Sequence, residues 1–343
     1  LGDVYKRQLV LKGLDLNLAR NKDGRTNWDD LAGDQPAKPE EPAAAEEPAG
    51  EISFKVEGVQ VENANVSWDD RQAGQHYLLR DVRLVTGTLE PGESVPVEGG
   101  FALHSKQPQL ALQVQLQADV TANAAFDNFK VSGLELSLQG EGEGLPEGGM
   151  QVDAAADIAL DLAKGTLQVA GLKVEGPEVG LQGELQVASL NAHPQVSGAL
   201  QLGQTNVKKL AALFGSTIET TDAEVLTRVS ADLKLAHDGK ALKIDPLTLQ
   251  LDDSSIQGFV HVLDPQGPVL RAEVSIDALD LDRYLPPPAE GAGASTPAPQ
   301  TAAAEDPFAA LRTLDLVADA RIGKLVASKL NLQDVRVKVV SKG

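Results

Sequence analysis

Hydrophobic positions along the chain fall into a recurring six-residue unit, apolar–any–Gly–apolar–any–apolar. It reads Leu11-Lys12-Gly13-Leu14-Asp15-Leu16, then Val56-Glu57-Gly58-Val59-Gln60-Val61. It returns as Val131-Ser132-Gly133-Leu134-Glu135-Leu136 and Val169-Ala170-Gly171-Leu172-Lys173-Val174. Looser copies at residues 79–84, 244–249 and 332–337 put Asp or Pro where the Gly stands. Side chains on a strand alternate between its faces, so each half of the unit is a piece of one-sided strand. Gly, Asp or Pro between the halves suits a bulge or bend, where the chain shifts register.

Strict alternation is clearest where Leu110, Leu112, Val114, Leu116, Ala118 and Val120 share one face and Gln113, Gln115, Gln117 and Asp119 the other. That pattern predicts a strand with one apolar and one wet face. Similar runs cover residues 152–162, 181–187, 196–202, 229–235 and 270–276. Turn-forming clusters separate them at residues 140–144, 146–149, 237–240 and 264–268, so the expected arrangement is a series of antiparallel meanders. Helix signals are few. Asn206 or Thr205 can cap a helix through Phe214, ended by Gly215, whose Val207, Leu210, Ala211 and Phe214 face would dock on the sheet or plug its end. Asp306-Pro307 predicts a second short helix over residues 308–312, and residues 282–285 a final turn.

Residues 33–50 and 286–307 are rich in Pro, Ala and Gly without apolar periodicity, the composition of semi-extended spacers. They divide the chain into an opening β block at 1–32, a main repeating β domain at 51–285, and the start of a further β block at 308–343. Residues 1–8 fit neither a signal peptide nor the strand pattern and are set apart as non-native in character. The chain starts at Leu1 rather than Met, and we read it as a fragment.

Composition narrows the function. A net charge of −20 and 3% aromatic residues exclude the basic, base-stacking surface that nucleic acid requires. The acidic excess instead keeps a large β protein soluble and its edges apart. With no Cys, disulfides and thiolate chemistry are excluded. The five histidines are scattered, with no pair at metal-ligand spacing. The pairs Asp29-Asp30, Asp69-Asp70 and Asp252-Asp253 read as solvated turn acids, because neighbours on a strand point to opposite faces. No nucleophile elbow, phosphate loop or dinucleotide fingerprint is present, so the sequence points away from an enzyme and implies no cofactor and no metal. Trp-Asp-Asp occurs twice, at Trp28 and at Trp68, and accounts for both tryptophans. Its plainest reading is an aromatic that closes a strand end over apolar neighbours.

The order of these features resembles the AsmA family of Gram-negative envelope proteins. The resemblance is carried by residues 11–18 followed by Asp23-Gly24-Arg25-Thr26-Asn27-Trp28-Asp29-Asp30-Leu31, and by the block at 56–70. Asp238-Gly239-Lys240 leading into residues 247–254, and residues 278–285 before the second spacer, continue it. The resemblance implies a periplasmic body anchored to the inner membrane and a role in outer-membrane assembly or lipid homeostasis. It also implies kinship with lipid-transfer proteins whose repeating β units curl into an apolar groove. The family's N-terminal transmembrane helix and its C-terminal part are missing from this sequence.

The expected fold is therefore mainly β, an elongated, curved antiparallel sheet in a taco-like groove with a few short helices. The expected lipid-facing residues are Leu110, Leu112, Val114, Leu116 and Val120. Trp28, Trp68, Gly13, Gly58, Gly133 and Gly171 are expected to shape the sheet. The expected partners are phospholipid or another envelope lipid, a membrane reached through the absent anchor, and envelope assembly proteins. Periodicity alone leaves open a sandwich or solenoid whose apolar faces only pack on each other. It equally leaves open a scaffold that binds assembly proteins through its strand edges.

Overall fold

A computed structural model describes residues 4–6, 8–29, 54–263, 269–287 and 315–341. Of these, 69% are strand and 4% helix, as the alternation predicts. The chain forms two compact units, Leu1–Lys164 and Gly165–Gly343.

In the first unit, β1 (Val4–Lys6) pairs in parallel with β4 (Phe54–Val56) as a separate two-stranded sheet. The main sheet begins with β2 (Leu9–Lys12) and β3 (Asp15–Arg20), both parallel to β5 (Val59–Asp70). From β5 it runs as an antiparallel meander through β6 (Gln75–Thr86), β7 (Ser94–Lys106), β8 (Gln109–Ala122), β9 (Asn128–Gly142) and β10 (Met150–Asp161).

The second unit is a longer meander of the same kind. It comprises β11 (Thr166–Gly176), β12 (Val179–Ala188), β13 (Gln195–Thr205), β14 (Val229–His237), β15 (Ala241–Leu251), β16 (Ser254–Leu263) and β17 (Val269–Asp280). Next, β18 (Asp315–Ala327) pairs in parallel with β17, and β19 (Leu330–Ser341) returns antiparallel. A parallel neighbour needs a long connection back past the strand. The two spacer-like stretches fall in the two connections that lead from β3 to β5 and from β17 to β18.

Among the described residues two short helices interrupt the strands: α1 (Val207–Leu213) and α2 (Leu281–Tyr284). The Asn206 side chain caps α1 by accepting from the Lys209 amide, as its sequence position predicts. The docking expected of α1 is not seen. None of its residues is buried, and Phe214 stays 51% exposed, because about two turns of helix present too little surface to seat on a sheet. The helix expected at 308–312, the turn at 264–268 and most of both spacers lie outside the described residues. At residues 140–144 the turn is shorter than expected, since Gly140, Glu141 and Gly142 continue β9.

Very little of this protein is fully buried. Among the described residues the buried apolar side chains are Ala64, Val95, Val225, Ala241, Leu316 and Ile322. A β-sandwich of this length would bury most of the inward residues of both its sheets. Here the inward-alternating residues stay half-buried, so stability rests on the backbone ladders and on side-chain neighbours within one layer.

Candidate functional site

The five residues expected to face lipid all lie on β8, half-buried, with Gln113, Gln115, Gln117 and Asp119 exposed between them. Register carries that face to both neighbours. Val114 stands opposite Phe101 and Leu138, and Leu116 opposite Gly99 and Leu136. The Leu116 row continues through Leu84 and Val61 to Leu11 on one side and to Ala154 on the other. Leu112 lies in a second such row, with Leu103, Leu79, Val66 and Leu16. Leu110 pairs with Ser105 and Gly142, where the face ends in polar company, and Val120 pairs with Val95 and Val131.

The second unit shows the arrangement more fully. One row runs from Leu172 on β11 through Gly183, Leu200, Leu233, Leu247 and Gly258 to Val274. Another runs from Val174 through Leu181, Leu202, Ala231, Leu249 and Ile256 to Ile276. Two more pass through Val169, Leu185, Leu235, Ile244 and Val260, and through Leu167, Val187, Val196, Leu242 and Val262. His237 is the one polar residue that these four rows meet between β11 and β17. Four parallel apolar rows on one face are what a regular register produces when every strand repeats the same pattern.

The recurring unit explains how the pattern survives. Val169 and Leu172 are three residues apart, so on a regular strand they would point to opposite faces. Instead Ala170 and Gly171 together oppose the single residue Glu184, and both halves of β11 present their apolar side chains to the same face. Gly171 has φ +59°, and Gly133, in the equivalent bulge of β9 against β10, also has φ +59°. This left-handed conformation is easiest for Gly. Asp81 (φ +53°) and Asp334 (φ +52°) adopt it in the looser copies, and Gly13 (φ +63°) separates β2 from β3.

Gly58 lies between β4 and β5, where the chain leaves one sheet for the other. It has no positive φ; it is buried where a Cβ would lie 2.9 Å from the Thr86 carbonyl oxygen. The bulge of β5 falls instead at Asn63 (φ +52°), with register shifts on either side of Ala64.

Both tryptophans close one end of the first unit's face. Leu18, Trp68 and Tyr77 form its terminal row. The turn after β3 folds back so that the Asn27 side chain accepts from the Ala19 amide and donates to the Asn17 carbonyl. Trp28 is thereby set against Trp68, with ring centroids 5.5 Å apart and planes tilted by 43°. Asp30 and Leu31 of this motif lie outside the described residues.

Two of the aspartates read as solvated are buried. Asp70 is 3% exposed; it accepts from the Arg20 guanidinium and from the amides of Gln72 and Ala73. The Arg20 bond, then the Ala73 amide, hold its carboxyl below the usual carboxylate range. Asp252 is 5% exposed and ties the segment before β14 to α2. It accepts from the amides of Leu226 (2.7 Å), Thr227 (3.1 Å) and Arg228 (3.1 Å), and from the Tyr284 hydroxyl (2.9 Å). Burial, with the bond to Asp252 second, pushes the Tyr284 phenol up to about 12. Arg283 spans Asp222 (2.7 Å) and Asp253 (3.3 Å) just outside. Sequence reasoning missed this anchor, because its parts are 24 to 32 residues apart.

Among the described residues no helix is long and apolar enough to cross a membrane, and no group of three or more His, Cys, Asp or Glu could hold a metal ion. Comparison with curated proteins and with solved structures finds no match. The AsmA family model matches residues 3–343, nearly the whole length. The repeating one-sided strands, the rephasing bulges and that match agree: the chain belongs to the AsmA family, an envelope-associated family.

Proposed function

We infer that this protein is a non-enzymatic lipid holder or conductor of the Gram-negative envelope. Acyl chains lie on the apolar face while headgroups remain in water. On this reading the body stands in the periplasm, held to the inner membrane by a segment outside this sequence, and serves outer-membrane assembly and lipid homeostasis. The observation that carries the reading is the set of four apolar rows from β11 to β17, half-exposed rather than packed. Six strand spacings of about 4.8 Å make each row about 29 Å long. Three two-residue steps make the set about 20 Å wide, more than the ~15 Å that one leaflet's acyl chains occupy. A bare apolar surface of that size, about 580 Å², lies at the top of what a soluble protein leaves to water, where such patches are often functional.

The test is Val114→Asp with Leu116→Asp in one chain and Leu200→Asp with Leu233→Asp in another. All four side chains are half-buried, the first pair on β8 and the second in one row of β13 and β14, so the strand ladder persists while each face gains two charges. The expected outcome is loss of co-purified phospholipid, measured by mass spectrometry, with unchanged circular dichroism. Unchanged lipid content sinks the reading.

A second reading has one observation in its favour. Leu330, Leu332, Val337, Val339 and Val340 on β19 are exposed, Leu330 by 62% and Val340 by 60%. A scaffold that takes an envelope assembly protein against β19 would cover them. It predicts a stoichiometric protein crosslink to β19 and no dependence on Val114 or Leu116.

A further inference from the structure

The polar face of the second unit carries an arrangement that the lipid reading does not use. Lys243 on β15, His261 on β16 and Arg271 on β17 stand directly opposite one another in register. Lys234 on β14 stands opposite the bulge of β15, beside them. Like charges facing each other across strands cost stability. In a chain with 50 acidic against 30 basic residues, carboxylates are abundant enough to have been placed among them. On the adjoining strands that is what happens: Arg321 pairs with Glu273, and Arg336 with Asp319. The side chains of Lys234 and Arg271 make no hydrogen bond or ion pair among the described residues.

These side chains line a concavity of about 820 Å³, within the range of small-molecule sites. The His261 ring packs on Phe259, with centroids 4.5 Å apart, and its Nε2 is buried without a hydrogen-bond partner. The nearest carboxylate, that of Asp245, is 3.7 Å away, beyond hydrogen-bond distance and within ion-pair distance only of a protonated ring. A buried ring nitrogen of this kind is ordinarily satisfied by a partner. Glu184, the other acid of the lining, is on β12, two strands from Lys234 and three from Lys243, about 10 and 14 Å off. The cations of β15 to β17 span about 10 Å, and Lys234 on β14 extends the set to about 14 Å, a distance that long side chains close around one anionic group.

We propose that Lys234, Lys243, His261 and Arg271 form a binding site for a phosphate-bearing anion on the polar face of the second unit. Arg271 supplies the planar fork that suits two phosphate oxygens, the lysines supply point charges, and His261 Nε2 takes the remaining polar contact. The site faces away from the apolar rows of the same strands, so it is independent of acyl chains resting on them.

The experiment titrates the whole chain with glycerol phosphate in a calorimeter and, separately, with phosphatidylglycerol and phosphatidylcholine vesicles in a sedimentation assay. Wild type is compared with Lys243→Gln/Arg271→Gln and with Lys324→Gln, a control on β18. All three altered residues are exposed, so the fold is retained and circular dichroism verifies it. The expected result is saturable binding that weakens roughly tenfold or more in the double variant, the loss of charge-assisted hydrogen bonds, and is unchanged by Lys324→Gln. Binding of glycerol phosphate identifies a free phosphate ester as the source. Binding of phosphatidylglycerol vesicles alone identifies a lipid headgroup. No saturable binding in either arm, or equal binding by wild type and the double variant, overturns the proposal.

Discussion

Along the rows that cross from β11 to β17, Leu and Val side chains are left half-exposed, whereas at Asp252 a carboxylate is taken almost wholly out of water and given four donors. Both regions belong to the same sheet, and they divide its work. The strand ends are fixed by buried polar groups whose partners come from different elements, so any loosening there leaves donors unpaired. The face between the ends is held by main-chain ladders and needs no tight jigsaw of side chains. A sheet built this way can change what touches its apolar face without changing how it folds.

That division predicts a graded series of effects. The largest belongs to Asp252→Ala, which leaves three amides and the Tyr284 hydroxyl without their acceptor; about 2–4 kcal/mol should be lost in urea unfolding. A shift as small as that of a face substitution would erase the distinction between ends and face. Gly133 tests the intermediate case. A Cβ there meets nothing within 4 Å, so substitution is opposed by the backbone conformation alone. Gly133→Val should cost about 1–2 kcal/mol and Gly133→Asn clearly less, since Asn tolerates left-handed backbone. Equal losses would show that the bulge is limited by space rather than by φ.

The smallest effect is a pH dependence. Asp70 titrates below the ordinary carboxylate range when folded, so its contribution to stability is fully present above that range. The contribution is lost as pH falls through the range toward the folded value. Urea midpoints followed downward from about pH 5 should therefore decline more gently in Asp70→Asn than in wild type. Parallel curves would remove Asp70 from the list of anchors.

Legibility in the sequence followed the range of the interaction. The one-sided character of β8 is written in consecutive residues, because period two is local. The bulges at Gly133 and Gly171 were readable because Gly between two apolar halves is itself a backbone signal. The bulge at Asn63 was not, since Asn in Val61-Glu62-Asn63-Ala64 looks like any outward polar residue. Gly58 fits the pattern at the break between β4 and β5, but its close approach to Thr86 was not readable from the pattern. Burial of Asp70 and Asp252 depends on Arg20 and Tyr284, 50 and 32 residues away, and no local pattern announces such partners. The cation row of β15 to β17 was likewise hidden, because its members become neighbours only once the register is known.

A strand with a period of two has, in effect, a reading frame, and the bulges act on it as compensating insertions. Deleting Lys173 alone would shift the frame of everything after it on β11. Val174 would turn toward water, and Glu175 toward the apolar side. Removing two neighbouring residues from one half would restore the frame and shorten the strand. The length of each half-strand is therefore free to drift in steps of two, while the position of the odd residue is not.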